Sequence, residues 1–292
     1  MKRREVIKGM VVAGLTAGVP AAIAQTAASG TPDLFSLLEY IWNESQKNNA
    51  GNKVTKGKTR VVFDPNANNC ILVTLGDSLG VNIIPTPYTP SNPNVLNFNI
   101  YDGLTYKAAD PLLGCSGIAP AGNMFTRLGD AVQGTDKFAN TILVPANIGG
   151  TYLYQWADDQ FLRIKATFAR LAAAGVTPTA VLIELGANET QLRTSQSDYE
   201  AQQKAMVALI RRYFAGPIFI ATESWLSGEA YAATQAAQTG AVDHGAGIWA
   251  GPNGDSLGAE YRPDKTHWND VGAAAMAKLW LSALQAYGAP FA

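Results

Sequence analysis

The sequence predicts an α/β fold of three layers, with helices on both sides of a parallel sheet of about five strands. Three observations predict it. Short, continuously apolar runs recur from residue 70 onward, longer segments of helical periodicity separate most of them, and several of those segments close at glycine. Strands that are apolar without alternation are covered on both faces, and strand–helix alternation sets such strands parallel.

The elements follow in chain order. The first fifteen residues after a Gly/Ala/Ser stretch, TPDLFSLLEYIWNES, carry Leu34, Leu37, Leu38 and Ile41 at helical spacing, which predicts a short amphipathic helix. Residues 46–69 are polar and rich in Lys, Asn and Gly, the composition of a linker or mobile loop. Strands are then expected in CILVTL, VLNFNIY, NTILVPA, TAVLIELG and PIFIATES. The clearest helices are DDQFLRIKATFARLAAAG and SDYEAQQKAMVALIRRYFAG, each closed by Gly. A last helix, NDVGAAAMAKLWLSALQAYG, starts after Asn and ends at Gly. In WAGPNG, one proline and two glycines argue against a regular strand.

Composition narrows the function. The chain has 292 residues, 47% apolar and 15% charged, enough for one substantial core. Its net charge is −1, and setting Lys2, Arg3, Arg4 and Lys8 aside against Glu5 leaves about −4. No basic face is expected, which argues against nucleic acid as a partner. MKRREVIKG precedes a mildly apolar run ending in Ala22-Ile23-Ala24, a charged start and a small-x-small site as in an export signal. Arg3-Arg4 before Val6-Ile7-Lys8 resembles a twin-arginine signal. Residues 9–24 are too short for the roughly 20 apolar residues of a membrane anchor. The expected organisation is an export signal at 1–24, a helix and linker at 25–69 and a catalytic domain at 70–292, periplasmic or secreted. Cys70 opens one strand and Cys115 is expected beyond its far end, roughly 26 Å away, so two free buried thiols are expected rather than a disulfide.

One pentapeptide occurs twice, at Gly76-Asp77-Ser78-Leu79-Gly80 and at Gly254-Asp255-Ser256-Leu257-Gly258. Active sites of open α/β sheets form beyond the carboxyl ends of the strands. Ser78 follows a buried strand and is the expected nucleophile; Ser256 follows WAGPNG and is expected in a loop. A serine hydroxyl needs a base, and the chain has two histidines. His267 lies three residues after Asp264, close enough for the carboxylate to turn back onto the imidazole. His244 has only the adjacent Asp243, and neighbouring side chains point apart, so it is expected as a surface histidine. Asn188 follows a strand end in LIELGANE, where its amide either donates to an oxyanion or holds a turn. Backbone donors are expected from Ser78 and from a glycine of LLGCSGIAPAGN. Trp156 and Trp268 are candidates for a sugar-stacking surface or for plain core. No phosphate loop with its Lys and no Cys/His set at metal spacing occurs in the sequence, so neither metal nor cofactor is expected.

TLGDSLG, GCSG, LIELGANE and DKTH, in that order, resemble the four signature blocks of the SGNH (GDSL) hydrolase superfamily. The resemblance implies a flavodoxin-like sheet, Ser78 as nucleophile, Gly117 and Asn188 in the oxyanion hole, and Asp264 and His267 as the remaining triad members. Gly122, just before a helix, is the alternative to Gly117. Glu189 stands where the third block usually has Asp. DPLLGCSG…GNMFTRLGD, NIGGTYLYQWA and DSLGAEYRPDKTHWND look like carbohydrate O-acetylesterases of the sialate acetylesterase type, whereas Gly186-Ala187-Asn188-Glu189 is closer to esterase- or lipase-like members. In that branch a similar loop leads into the Asp-x-x-His, which implies a positioning role for the second pentapeptide. Together these imply an ester hydrolase removing short acyl groups, acetyl foremost, from a polysaccharide or small-molecule ester. An O-acyltransferase or a lipase/thioesterase-like enzyme using the same residues is the alternative, and a non-catalytic domain of this fold is the reading from another class.

Overall fold

A computed structural model describes residues 52–117, 121–158 and 161–292. The expected export signal and first amphipathic helix lie outside the described residues.

The sheet has eight strands: β1 (Arg60–Val61), β2 (Asn69–Gly76), β3 (Val95–Phe98), β4 (Thr105–Lys107), β5 (Asn140–Pro145), β6 (Ala180–Glu184), β7 (Ile218–Thr222) and β8 (Ile248–Asn253). Their spatial order is β1-β4-β3-β5-β2-β6-β7-β8. β4 runs antiparallel to both β1 and β3, and every other pairing is parallel. β2 is central, with Val73 opposite Val144 of β5 and Val181 of β6. The chain builds outward from β2 in one direction through β3 and β5, then in the other through β6, β7 and β8. The loops leaving β5 and β6 therefore diverge around the carboxyl end of β2, where such sheets open a crevice.

Seven α-helices accompany the sheet among the described residues: α1 (Met124–Gln133), α2 (Leu153–Ala157), α3 (Phe161–Ala173), α4 (Ala187–Leu192), α5 (Gln196–Arg211), α6 (Ala232–Gly240) and α7 (Asp270–Tyr287). Side chains alternate along β2 as a two-residue period requires. Ile71, Val73 and Leu75 join a cluster with Trp156 of α2, Ile164 and Phe168 of α3, Met206 and Ile210 of α5 and Ala237 of α6. Cys70 and Leu72 join the other, with Phe125 and Leu128 of α1 and Met276, Trp280 and Leu284 of α7. Cys70 and Cys115 are both buried and free.

Three expectations are corrected here. The sheet exceeds five strands because β1, β4 and β8 are too short or too irregular to register as apolar runs. WAGPNG does lie in a strand, since β8 runs through Pro252. It is an edge strand, whose register against β7 shifts between Ile220 and Thr222, and an edge tolerates the missing N–H. From Asn52 on, the polar stretch before residue 70 is docked rather than loose. Asn52 N–H donates to Cys115 O at 2.7 Å, Gly114 N–H donates to Asn52 O at 2.9 Å, and Lys58 Nζ donates to Ala109 O and Pro111 O at 2.5 and 2.8 Å. Asn52 and Lys58 donate to carbonyls of the loop after β4, which hydrophilic composition alone does not reveal.

Candidate active site

The first pentapeptide turns sharply off the end of β2. Gly76 has φ +142°, and a Cβ there would stand 1.8 Å from Glu184 O, so the turn can form only with glycine. Asp77 is buried and caps the 3₁₀ turn Ser78–Gly80. Its carboxylate accepts from Leu79 N–H at 3.1 Å and from Gly186 N–H at 3.3 Å, tying the β2 exit to the β6 exit. Burial pushes the Asp77 carboxyl up to about 6, against those hydrogen bonds and the charge of His267. Its role is to hold the turn that presents Ser78.

His267 reaches that serine from the loop before α7. Its Nε2 lies 3.0 Å from Ser78 Oγ, and its Nδ1 lies 2.6 Å from Asp264 Oδ2. Asp264 Oδ1 also accepts the backbone N–H groups of His267 at 2.7 Å and Thr266 at 2.9 Å. Partial burial pushes the Asp264 carboxyl up, but these bonds outweigh it and hold it below its ordinary value. The carboxylate therefore fixes both the ring and the backbone that carries it. The loop's other end is anchored by α7, whose Asn269 cap accepts from Gly272 N–H at 2.7 Å.

The remaining donors are accounted for one by one. Ser78 N–H and Gly117 N–H have no acceptor among the described residues. Gly117 has φ +145° and pairs through a bridge with Asn82. Gly122 is excluded as a donor, because its N–H is committed to Ile84 O at 2.7 Å. Asn188, second residue of α4, donates one amide hydrogen to Thr151 O at 2.8 Å and keeps the other. That bond runs to a carbonyl 37 residues away on the loop between β5 and α2, not to Asn188's own turn. Glu189, beside it, is buried and accepts Leu153 N–H at 2.5 Å at the start of α2. Burial pushes its carboxyl up to about 7. Asn188 and Glu189 together fasten the loop between β5 and α2.

That loop and the segment after β4 carry residues that the sequence does not single out. Asn147 lies beneath the serine turn, accepting from Thr74 Oγ1 at 2.6 Å, and a Cβ on Gly80 would stand 2.3 Å from its Nδ2. Ser116 Oγ accepts Gly149 N–H at 2.7 Å, and Gly149 lies against Ser78. GCSG and NIGG both lie in motifs that carry the family resemblance, but their sequence does not show that Ser116 meets Gly149.

The second pentapeptide has a different task. Ser256 Oγ donates to Asn253 O at 2.6 Å and makes no bond to His267. Asp255 accepts from Ser224 N–H and Trp225 N–H, each at 3.0 Å, from Ser224 Oγ at 2.5 Å and from Gln235 Nε2 at 2.8 Å. Gly254 O accepts from Arg262 Nη2 at 3.1 Å, while Arg262 Nη1 donates to Thr266 O at 2.7 Å. The copy is thus a staple that steadies the loop carrying Asp264 and His267. His244 is exposed and stacks on Trp249 with ring centroids 4.0 Å apart. Trp156 and Trp268 are both buried core residues, Trp268 beneath the Arg262 guanidinium at 3.6 Å. Neither lines an open surface.

Comparison with known proteins tests the fold. No protein-family model matches the chain, and no curated protein does. Among solved structures, a protein from Arabidopsis thaliana superposes with a TM-score of 0.59 at 19% identity, covering 77% of this chain and 100% of that one. The two share a fold. The chain is also similar to the psychrotrophic esterase EstA from Pseudoalteromonas sp. (TM-score 0.46, 15% identity, 74% and 97% of the respective chains). A lipase/acylhydrolase from Enterococcus faecalis gives 0.47 at 12% identity over 75% and 96%.

Proposed function

We propose that the chain is a serine ester hydrolase of the SGNH (GDSL) superfamily, exported, and acting on short acyl groups, acetyl foremost, carried by a carbohydrate. One observation carries the reading: Asp264, His267 and Ser78 form a continuous contact chain of 2.6 and 3.0 Å at the carboxyl end of the central strand. The order of the four sequence blocks and the unspent donors of Ser78, Gly117 and Asn188 support it. The Arg3-Arg4 segment supports export, and the resemblance of NIGGTYLYQWA and DSLGAEYRPDKTHWND to carbohydrate acetylesterases supports the substrate class. The same reading takes the fold as a three-layer sandwich around a flavodoxin-like parallel core, which the two side-chain clusters support. It takes residues 70–292 as the catalytic domain, with the segment from Asn52, β1 included, packed onto it.

In the proposed cycle, Ser78 Oγ bonds to the ester carbonyl carbon as His267 Nε2 accepts its proton. Asp264 stabilises the imidazolium and holds the tautomer. Three donors, Ser78 N–H, Gly117 N–H and Asn188 Nδ2, serve the oxyanion, each worth about 2.7–4 kcal/mol when well placed. The carbon–oxygen bond to the alcohol then breaks and His267 returns its proton to the leaving oxygen. Water, deprotonated by His267, attacks the acyl-serine; the bond from the carbonyl carbon to Ser78 Oγ breaks, His267 returns the proton to Ser78 Oγ, and the acid leaves. Hydrolysis of p-nitrophenyl acetate tests the reading: Ser78→Ala is expected to lower kcat by a factor on the order of 10⁶. Equal rates for the two proteins overturn it.

A further inference from the structure

We propose that Gly149 sets the acyl-size limit of this site, with Ser116 holding it in place. The inference rests on the esterase reading above. The chain leaving β5 runs beside the end of β2, because Ala146 N–H donates to Thr74 O and Ile148 N–H donates to Gly76 O, both at 2.9 Å. Gly149 consequently arrives next to the nucleophile. A Cβ placed on it would stand 3.6 Å from Ser78 Cβ, 3.6 Å from Ser116 Oγ and 3.8 Å from Ser78 Cα.

Nothing in the backbone requires glycine there. Its φ lies outside the left-handed region, and those distances are ordinary van der Waals contacts. The bare Cα therefore serves the space beside Ser78 rather than the conformation of the loop. The loop is also pinned. Gly149 N–H is bound by Ser116 Oγ, Thr151 Oγ1 donates to Ile148 O at 2.7 Å, Thr151 O is held by Asn188, and Leu153 N–H by Glu189. Ser116 is itself 6% exposed and fixed by backbone bonds to Asn147 O and from Asn82 N–H, each at 3.0 Å. A wall held at so many points does not retreat before a longer chain. The acyl group bonded to Ser78 Oγ lies in the room left by the missing side chain, and a methyl added at Gly149 removes about one carbon of it.

The test is the ratio of kcat/KM for p-nitrophenyl butyrate to that for p-nitrophenyl acetate, with Tm measured alongside. Gly149→Ala is expected to keep the wild-type Tm and acetate activity within about threefold, and to lower the ratio by about tenfold or more, the usual worth of a misplaced methylene. Ser116→Ala frees the Gly149 N–H and is expected to raise the ratio, because the wall can then yield. An unchanged ratio in Gly149→Ala, or an equal fall for both esters, overturns the proposal. So does an unchanged ratio in Ser116→Ala. A wild type that cleaves neither ester, or Ser78→Ala at wild-type rates, overturns the esterase reading itself and this inference with it.

Discussion

Gly76 and Gly254 open the two copies of one pentapeptide and are glycine for different reasons. Gly76 needs a positive φ and a Cα that touches Glu184 O; at Gly254 a Cβ would stand 1.9 Å from Glu223 Oε2, a buried carboxylate oxygen. Gly76→Ala is expected to lose about 1–3 kcal/mol from backbone strain alone, more with the clash, and urea denaturation measures it. The activity of the remaining folded protein should fall too, because Ser78 moves with the turn. Asp264→Asn leaves the shape nearly intact but offers Nδ1 the wrong partner, and a loss in kcat on the order of 10⁴ is expected. Wild-type kcat in that variant would remove Asp264 from the reaction.

At the scale of elements, one buried cation ties together several points of the loop between β8 and α7. Arg262 pairs with Glu223 Oε1 at 2.9 Å with both side chains fully buried, donates to Gly254 O and Thr266 O, and lies over Trp268. Removing it leaves the Glu223 carboxyl, which burial pushes well above its ordinary value, without the guanidinium that opposes that shift. Arg262→Met is expected to cost about 3–5 kcal/mol and to lower kcat, because the released Thr266 carbonyl adjoins His267. Combining it with Glu223→Gln should recover part of the stability without recovering kcat, since the bond to Thr266 stays lost. A double variant as unstable as the sum of the two singles would show that the pairing is not what holds the loop.

For the whole molecule, the core under the active site contains an acid whose titration is linked to folding. Glu184 is completely buried at the end of β6, and burial first, then the Asp77 carboxylate, pushes its carboxyl up to about 8. The charge of Arg262 opposes this. The indole N–H groups of Trp268 and Trp280 face the carboxyl but lie outside hydrogen-bond geometry. The unfolded chain releases that proton near the ordinary glutamate value, about 4.3. Between the two values the folded state binds more protons, so stability falls as pH rises through this window. Glu184→Gln carries no titrating group there and is expected to make the Tm profile less steep between about pH 5 and 8, the slope that stays coming from Asp77 and Glu189. Identical slopes in both proteins would mean that Glu184 does not supply this dependence.

Local chemistry was legible in the chain itself. Predominantly apolar runs from Cys70 to Thr222 mark the five inner strands because burial on both faces favours apolar side chains and admits only a few polar ones, such as Thr74, Asn97, Thr141 and Glu184. Asp264 and His267 were readable as partners because three residues of turn suffice to bring carboxylate to imidazole. What only the tertiary structure decided is whatever depends on chain segments far apart in sequence. The edge strands β1 and β8, and the short β4 between β1 and β3, owe their form to a neighbour already in place, not to their own composition. The approach of Gly149 to Ser78, the commitment of the Gly122 N–H to Ile84 and the burial of Trp268 under Arg262 are of the same kind. Periodicity reports which face of an element is covered; it carries no record of which distant atom does the covering.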